Sequence, residues 1–546
     1  MMKKQILLFV LSSMLAAASA QQVYNFQGPG QLRDLLYDGP DNFCINPIAI
    51  DQFTMDSIAR IPRLRMGTSD FKIRFNSPIY QIQSNSKVPT NHTSNFLIPN
   101  VGLQQVFTVG LNLDYRDLIE LNLQPIHQTT ENLPFHQYPE YSKEWLWYYY
   151  FLNRIDMPDR FSDKPLSQGY LGPSYFRLKI SNVAVTISNE NKWWGPASFN
   201  PLVLGSNAPG FNHLGIRNRE PINTTIGKFG FEIIAGTLQN SGYLPPDTNR
   251  VNIYNGQRLY EQKIEADRYT TGLIYTYQPK WIPGLTLGLT KLSMAYRNET
   301  KSFYDFLPLT GFVGDRLSLM EREKRKASMG SWFARYLMPK IHSEVYFEYG
   351  RGDRSLHVWN IMQPKPYTRG FTAGLKKSFE ITRLPGHFIQ IGTEMTNLSL
   401  PTKAQVKGQD PQSWYIHNHV RQGFTHRGTV LGSQLGPGSN GQNVYVQYIH
   451  GLNRIGIRFL RTIHNLDYYH YTGYYLSDHF NQYWASAGAL LYSTWYVKNF
   501  SVNMQCGIHR ELNHQWDWVR YTDIGFENIG NDIYNFSANL MLSYHL

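Results

Sequence analysis

The chain has 546 residues, with 52 lysines and arginines, 40 aspartates and glutamates, two cysteines and a formal net charge of +12. Two cysteines exclude a disulfide scaffold and a cysteine-rich metal site, and the lack of a long apolar stretch beyond residue 20 excludes a helical membrane protein. The charge favours an anionic partner such as an acidic glycan or lipopolysaccharide phosphates, although an ordinary basic surface explains it equally well. Nucleic acid is a poor fit, because no basic helix or recognisable nucleic-acid-binding fold accompanies the charge.

Residues 1–20 have the pattern of an export signal. Two lysines near the start precede an apolar stretch over residues 6–18, and small residues at 18–20 offer a cleavage site before Gln21. No cysteine stands directly after the apolar stretch, where residue 21 is Gln, so a lipid anchor is not expected. We expect a mature chain that is exported and begins at Gln21.

The next segment, residues 21–104, differs from the rest of the chain. QLRDLLYDG, at residues 31–39, predicts a short helix, and DSIARI, at residues 56–61, predicts another short helical turn. We therefore expect residues 21–104 to form a small, partly helical cap or plug on the periplasmic side. Residues 105–546 are expected to form a separate, all-β unit.

Strand patterns begin near residue 105. Segments 105–113 and 118–125 flank a short turn and predict a hairpin. In the insertion that follows, dense aromatic residues at 144–152 predict a helix, which Pro158 limits. From about residue 227 onward, one strand candidate follows another, separated by polar loops.

Alternation with a period of two marks these strands. In the last segment, one face carries Phe536, Ala538, Leu540, Leu542, Tyr544 and Leu546, and the other carries Asn535, Ser537, Asn539, Met541, Ser543 and His545. Closing such a sheet satisfies every backbone hydrogen-bonding group where water is absent. Export and alternation together favour a transmembrane β-barrel over a soluble β-sandwich or propeller, which show similar alternation.

The alternation also places carboxylates. In residues 341–350, Glu344 and Glu348 fall on the same face, and an unpaired charge on the lipid side is costly. That face is therefore expected to line the barrel interior. In residues 502–509, Cys506 falls on the apolar face, which predicts a small buried or lipid-facing thiol rather than a functional cysteine.

Residues 189–214, NENKWWGPASFNPLVLGSNAPGFNHL, interrupt the strands with adjacent tryptophans, three prolines and several amides. Indole faces stack on the C–H surfaces of sugars, amides bond to hydroxyls, and arginines pair with uronate carboxylates. Alternatively, the tryptophans mark the membrane interface and the arginines form ion pairs inside the barrel, with residues such as Glu220 and Glu232. The candidate polysaccharide-binding residues are Trp193, Trp194, Asn189, Asn207, His213, Arg217 and Arg219.

This segment resembles the signature segment of the capsule-assembly Wzi family. The matching positions are Trp193, Trp194, Gly195, Pro196, Asn207, Ala208, Pro209, Phe211, His213 and Leu214. Residues 152–161, LNRIDMPDRF, are similar to a segment that precedes the tryptophan motif in Bacteroidota-type members. The resemblance implies an outer-membrane antiparallel β-barrel of about 18 strands that binds and organises capsular or other acidic surface polysaccharide at the cell exterior.

The same resemblance implies no catalysis, no metal site and no cofactor. The implied partners are polysaccharide, outer-membrane lipid with its lipopolysaccharide, and the barrel-assembly machinery, with the chain as a monomer. Three alternatives remain at this stage: a component of secretion or gliding motility, a diffusion porin, and an outer-membrane lipid hydrolase with a Ser, His and carboxylate at the membrane edge. The segment from His509 to His514 does not match the H-E-x-x-H spacing of a zinc site.

Overall fold

A computed structural model describes most of the chain after residue 65. The described residues are 66–67, 70–90, 97–135, 145–245, 247–252, 255–300, 325–352, 368–401, 412–476, 483–516 and 532–544. The predicted export signal and the two predicted N-terminal helices lie outside these residues. In the described part of the chain, no helix is both long and apolar enough to cross a membrane.

One large antiparallel sheet contains nearly all the strands. Its members are β1 Met66–Gly67, β2 Phe71–Asn85, β3 Gly102–Tyr115, β4 Ile119–Leu123, β5 Pro125–Thr130, β6 Leu166–Leu171, β7 Tyr175–Ile180, β8 Val183–Ser188, β9 His213–Asn218, β10 Ile222–Asn223, β11 Gly227–Leu238, β12 Arg268–Pro279, β13 Leu285–Tyr296, β14 Ala327–Met338, β15 Ser343–Gly352, β16 Arg369–Glu380 and β17 His387–Asn397. A separate two-stranded hairpin, β18 Thr425–His426 with β19 Thr429–Val430, comes next, and the large sheet resumes with β20 Asn440–His450, β21 Asn453–Ile463, β22 Ala485–Val497, β23 Phe500–Leu512 and β24 Ile533–Tyr544. The longer helices are α1 Trp145–Leu152 and α2 Leu466–Leu476, and short 3₁₀ turns lie at Arg297–Glu299, Pro339–Ile341 and His514–Trp516.

The large sheet closes into a barrel. β2 pairs with β3 on one side and with β24 on the other, where Ile79 lies opposite Ser543 and Asn85 opposite Ser537. Within the described residues the wall has 18 antiparallel strands, counting β4 with β5 as one and β6 with β7 as one, and leaving out the two-residue strands β1 and β10, which extend the pairing at β2 and β11. This confirms the expected barrel and its strand number.

Alternation sorts the wall residues as the sequence predicts. On β24, Tyr534, Phe536 and Leu542 are exposed on the outer face, whereas Asn535 and Ser543 are buried on the inner face. The outer face of the barrel thus carries exposed apolar side chains on strand after strand, as a lipid-facing surface requires. Because water cannot replace missing backbone partners in lipid, closure of the sheet and its apolar exterior belong together.

Inward carboxylates on β15 find partners inside the barrel. The Glu344 carboxylate accepts a hydrogen bond from Nε of Arg335 at 3.0 Å, and Oε1 of Glu348 accepts one from the hydroxyl of Ser331 at 2.5 Å. Both glutamates are nearly fully buried. On β23, Cys506 lies exposed on the outer face among apolar residues, in agreement with a lipid-facing thiol.

The barrel wall begins earlier than the boundary expected at residue 105. β2 starts at Phe71 and belongs to the wall, so the predicted cap region of residues 21–104 contributes a wall strand. Its alternation is hard to recognise because a bulge between Asn76 and Ile79 shifts the register. Odd-numbered residues face outward before the bulge and even-numbered ones after it, and Pro78 sits at the break.

Two neighbouring wall strands are interrupted at the same height. β4 and β5 are separated at Gln124, and β6 and β7 are separated at residues 172–174. Asn189 bridges the second gap, because its Nδ2 donates to the Leu171 carbonyl at 2.8 Å and its Oδ1 accepts from the Ser174 amide at 2.7 Å. The side chain of Asn189 therefore supplements the backbone bonds at this seam, where the backbone N–H of Asn189 also donates to the Ser174 carbonyl at 3.1 Å.

The two rims of the barrel differ. At one rim the strands are joined by short turns, such as residues 181–182, 451–452 and 498–499. At the other rim the connections are long, including residues 189–212 and 239–267. We call these the short-turn rim and the long-connection rim. In bacterial outer-membrane barrels the long connections face the cell exterior.

Candidate functional site

Two long connections fold back into the barrel lumen. We call residues 189–212 the first lumen segment and residues 398–401 with 412–439 the second lumen segment. Their apolar residues share one core with inward residues of the wall, and the buried members from the two segments include Trp194, Leu202, Val203, Leu204, Trp414, Tyr415, Val430 and Leu431. A packed core occupies the space in which an open channel would hold water.

Both tryptophans of the motif are buried, and Trp194 belongs to this core. The side chain of Trp194 is fully buried, and its Nε1 donates to Oε2 of Glu232 on β11 at 2.9 Å. Its ring meets the wall at Gly272 on β12, where a Cβ atom would come within 2.6 Å of the indole. Trp193 is 3% exposed. In this conformation neither indole presents a face for a sugar to stack on.

A buried ion pair holds the start of the first lumen segment. Nζ of Lys192 lies 2.9 Å from Oε1 of Glu232, and both side chains are almost completely buried. Glu232 therefore receives an ammonium and an indole N–H from two residues of the segment that are two positions apart, Lys192 and Trp194. A buried pair of this kind is costly to break, because removing one partner leaves an uncompensated charge.

A second carboxylate anchors the segment on the far wall. Glu394 on β17 accepts backbone N–H bonds from Ser198 at 2.6 Å, Phe199 at 3.1 Å and Asn200 at 2.8 Å. The Tyr346 hydroxyl donates to the same carboxylate at 2.7 Å. Hydrogen bonds to an ionised carboxylate are stronger than neutral ones, so the turn at residues 198–200 is firmly attached. The first lumen segment thus crosses the lumen from β11 to β17.

The two lumen segments also bind each other. Nε1 of Trp414 and the Tyr415 hydroxyl both donate to the Leu202 carbonyl, at 3.0 and 2.8 Å. Nδ2 of Asn207 donates to the Val430 carbonyl at 2.9 Å. The Trp414 ring packs against Gly350 on β15, where a Cβ atom would approach it to 2.6 Å. Together the segments form a single plug held by several wall strands.

The remaining predicted site residues fall in different places. His213 is buried at the start of β9 and bonds through Nδ1 to the Phe211 carbonyl at 2.7 Å. Arg217 lies opposite Glu232 in the β9–β11 register, inside the barrel. Arg219 lies at the short-turn rim, where it pairs with Asp117 at 2.6 Å. The structure therefore groups Trp193, Trp194, Asn207, His213 and Arg217 in the lumen, leaves Asn189 at the wall seam and separates Arg219 from all of them.

Sequence reasoning missed a pocket at the long-connection rim. The chain from α1 to Asp163 forms one side, and the β11–β12 connection forms the other. Its volume is about 130 Å³, and its lining includes Tyr148, Asp159, Arg160, Tyr243, Tyr260 and Lys263. We call it the rim pocket. The LNRIDMPDRF segment, which forms most of one side of this pocket, is distinctive in the sequence. Nothing in the sequence indicates that it lies next to residues 243–263.

One Ser, His and carboxylate group lies close together near the long-connection rim. The Ser486 hydroxyl contacts Nε2 of His464 at 2.6 Å and donates to Oε2 of Glu511 at 2.5 Å. In a catalytic triad the carboxylate orients the histidine, and the histidine accepts the serine proton. Here Oε2 of Glu511 lies 4.0 Å from Nε2 of His464, the same ring nitrogen that contacts Ser486, and Nε1 of Trp484 donates to this oxygen at 3.0 Å. This group has the connectivity of a structural network rather than of a triad.

These features define a membrane-spanning β-barrel whose lumen is filled by its own connections. The sequence matches the family described as capsule assembly protein Wzi over residues 107–467, which is more than half of the chain. The chain therefore belongs to the Wzi capsule assembly family. No match was found among curated protein sequences.

Solved structures of similar fold include Wzi of Escherichia coli, with 12% identity and a TM-score of 0.55 over 97% of this chain and 95% of that one. That protein is described as an outer-membrane protein involved in group 1 capsule assembly and as a carbohydrate-binding β-barrel. OccAB2 of Acinetobacter baumannii is more distant, with 11% identity and a TM-score of 0.41 over 86% of this chain and 97% of that one. At 12% identity, the similarity to Wzi of E. coli concerns the fold alone.

Proposed function

We propose that this protein binds and organises capsular or other surface polysaccharide at the exterior of the outer membrane. The observation that carries the proposal is the filled lumen in a member of the Wzi family: the barrel serves as a support for its long-connection rim rather than as a passage. The carbohydrate binding described for Wzi of E. coli supports the same function. The work is binding, without catalysis, metal or cofactor.

The long-connection rim offers the chemistry that sugars need. Tyr243 and Tyr483 are exposed there, together with the polar groups of the rim pocket. Aromatic faces pack on sugar rings, and a repeating polymer gains avidity from many weak contacts. We assign the candidate residues in the lumen a part in this binding: Trp193, Trp194 and Asn207 of the first lumen segment, with His213 and Arg217 on β9, hold the plug beneath the rim. Direct stacking of a sugar on the indoles requires the segment to open. Asn189 contributes by bridging the seam in the wall. Arg219 contributes by its ion pair with Asp117 at the short-turn rim, on the periplasmic side.

The expected state of the protein follows from its class. The barrel-assembly machinery inserts the mature chain, after signal cleavage, as a monomer with lipid around its apolar belt and lipopolysaccharide at its outer edge. A role in secretion or gliding requires a protein partner, whereas capsule binding requires the polymer alone. Deletion of the chromosomal copy is therefore expected to release capsule into the medium without changing surface motility.

The direct test uses the full mature chain in lipid nanodiscs and capsule shed by the producing strain. Binding is measured by biolayer interferometry, with heat-unfolded protein as the control for non-specific adsorption. Saturable binding by folded protein only is the expected result. Equal adsorption to folded and unfolded protein, or no binding, contradicts the proposal.

A further inference from the structure

The two sides of the rim pocket are tied to each other. Oδ2 of Asp156 accepts a bond from the Ser241 amide at 2.7 Å, and Oδ1 accepts one from the Ser241 hydroxyl at 2.5 Å. Nδ2 of Asn153 donates to the Leu259 carbonyl at 2.9 Å, and its Oδ1 accepts from the Glu261 amide at 3.0 Å. The pocket is thus held open by bonds on both sides, which reduces the entropy lost when a ligand binds.

Aromatic side chains form much of the pocket surface. Tyr243 packs edge-on against Phe161, with ring centroids 5.6 Å apart. Tyr148 and Tyr260 line other parts of the rim pocket. Fixed aromatic rings beside polar groups suit a sugar, whose C–H faces are apolar and whose edges carry hydroxyls.

Two charged groups of the pocket lack a partner among the described residues. No described carboxylate lies within ion-pair distance of the Lys263 ammonium, and Oδ2 of Asp159 is buried without a hydrogen bond. Burial, together with nearby Arg421 and Arg268, lowers the pKa of Lys263 to about 8, although Asp156 acts in the opposite direction. Burial raises the pKa of Asp159 to about 6. At neutral pH each group is largely charged and poorly solvated.

In the described part of the chain, the other charged groups around the pocket have partners for most of their polar atoms, although Nε of Arg160 is buried without a hydrogen bond. Nη2 of Arg160 donates to the Asn132 carbonyl at 2.7 Å, and its Nη1 lies 3.5 Å from Asp163. Asp156 is occupied by Ser241. A ligand entering the pocket therefore meets the Lys263 ammonium, which has no anionic partner within the described residues, the free Nε–H of Arg160, and the Asp159 carboxylate, which lacks a hydrogen-bond donor.

We propose that the rim pocket is a subsite for one acidic sugar residue of the polysaccharide. Lys263 pairs with the sugar carboxylate, Asp159 accepts a bond from a sugar hydroxyl, and the tyrosines pack on the ring. This inference rests on the proposed function. It adds where the polysaccharide contacts the protein, and it names Lys263 as the group that selects an acidic sugar over a neutral one. A neutral sugar leaves Lys263 without its anion, so the site prefers a uronate over the corresponding neutral hexose.

The test compares two forms of one polymer on the full mature chain in nanodiscs. The probes are capsule shed by the producing strain and the same capsule after chemical reduction of its carboxylates to alcohols. The variants are Lys263→Gln and Asp159→Asn. The control is Lys280→Gln, which removes the same charge from an exposed position at the short-turn rim.

We expect wild type and Lys280→Gln to bind native capsule about tenfold more tightly than reduced capsule. Lys263→Gln is expected to lose this preference by weakening native binding alone, and Asp159→Asn to weaken binding of both forms. If wild type binds capsule but Lys263→Gln keeps the full preference, or if native and reduced capsule bind equally to wild type, the subsite is wrong and the proposed function stands. If wild type binds neither form, both proposals fall.

Discussion

At the scale of single residues, two buried carboxylates decide where the plug sits. Glu232 takes the Lys192 ammonium and the Trp194 indole N–H, and Glu394 takes consecutive backbone N–H groups around Phe199. A turn cannot supply acceptors for several of its own buried backbone N–H groups. Leaving these groups unpaired lowers the free energy of unfolding. Each glutamate is therefore a fixed point to which the first lumen segment returns.

Replacing Glu394 tests this directly. We expect Glu394→Gln to destabilise the attachment of residues 198–200 by about 2 kcal/mol, because the charged acceptor is lost and the new amide N–H groups face backbone donors. The measurement is the rate of proteinase K cleavage within residues 189–212 of the detergent-solubilised barrel. Glu380→Gln, at the exposed end of β16, is the matched control. Unchanged protection in Glu394→Gln refutes the anchoring role.

The tryptophan pair carries a second prediction. Trp194→Ala removes a fully buried indole and one donor to Glu232, and we expect a loss of about 3–5 kcal/mol. The heat-modifiable gel shift should persist but with a lower midpoint, whereas Trp281→Ala, at a 69% exposed position, should leave the midpoint unchanged. A Trp194→Ala protein with the wild-type midpoint contradicts the packing seen here.

The role of the pair in binding needs a separate comparison. We expect the double change Trp193→Ala with Trp194→Ala to weaken capsule binding while the barrel stays folded. If the indoles act by packing the plug, Glu394→Gln weakens binding too. If they act by stacking on sugar, only the tryptophan changes do so. Normal binding by the double variant excludes both roles.

The rim pocket gives a pH dependence with a defined sign. Lys263 is protonated below its pKa of about 8, and Asp159 is ionised above its pKa of about 6, so both partners of the sugar are in place between these values. We expect capsule affinity to be highest in this window, falling at higher pH as Lys263 loses its proton and at lower pH as Asp159 gains one. In Lys263→Gln the decrease at high pH should vanish. A high-pH decrease that persists in this variant assigns the titration elsewhere.

At the scale of elements, two wall strands carry a glycine where a tryptophan of the plug contacts them. Gly272 on β12 and Gly350 on β15 leave space where the Trp194 and Trp414 rings meet the wall. An internal glycine usually makes a strand less stable, because it has no side chain to pack against its neighbours. It also gains more conformational entropy on unfolding than other residues do. Here the neighbouring indole fills that space, so the glycine and the tryptophan form one unit across the lumen.

Filling the space on the wall side should therefore displace the indole. We expect Gly272→Ala to cost about 1–3 kcal/mol through overpacking, since its Cβ would lie 2.6 Å from the Trp194 ring. Gly215→Ala, on β9, is the control, because its Cβ would have only ordinary contacts from 3.7 Å outward. Tryptophan fluorescence and the unfolding midpoint report the change. Equal effects of the two substitutions count against a fitted contact.

The sequence predicted the elements whose signal is local. The β24 faces, the inward carboxylates of β15, the hairpin near residue 115 and the helix at 145–152 follow from alternation, charge and turn residues within one short segment. β2 escaped because the bulge at Ser77-Pro78 reverses its parity halfway. A search for alternation assumes that either the odd or the even residues face outward along the whole strand. A strand whose outward parity changes halfway does not match this pattern.

The candidate site was less predictable for a different reason. The motif around Trp194 is distinctive in the sequence, but its burial depends on Glu232 and Gly272, which belong to strands far along the chain. The rim pocket likewise joins Asp159 to Lys263 across about a hundred residues. Residue types indicated sugar chemistry, whereas only the closed sheet decided which side chains reach the outer rim.

At the scale of the whole molecule, wall and plug are separable. Ser188 and His213 are register partners at the ends of β8 and β9, so the first lumen segment enters and leaves the wall at the same point. Its removal need not stretch the sheet, because a short turn can join the two residues directly. The barrel is thus a complete wall to which a lumen-filling insertion has been added.

This separability gives a test of the filled lumen. We expect the wild-type barrel to show no conductance steps in planar bilayers. A variant in which one glycine replaces residues 190–212, so that the native Asn189 and this glycine form the turn, should show them, because part of the plug is gone while the seam and the wall are kept. Steady large conductance by the wild type contradicts the filled lumen and returns the porin alternative. A silent variant with the normal heat-modifiable shift implies that the second lumen segment blocks the lumen alone.

The bridged gap beside β6 has a mechanical meaning. Asn189 is both the first residue of the first lumen segment and the group that completes the wall between Leu171 and Ser174. A pull on the first lumen segment from outside the cell would therefore reach the wall through this amide as well as through Glu232 and Glu394, so the load is shared among three separate places on the barrel.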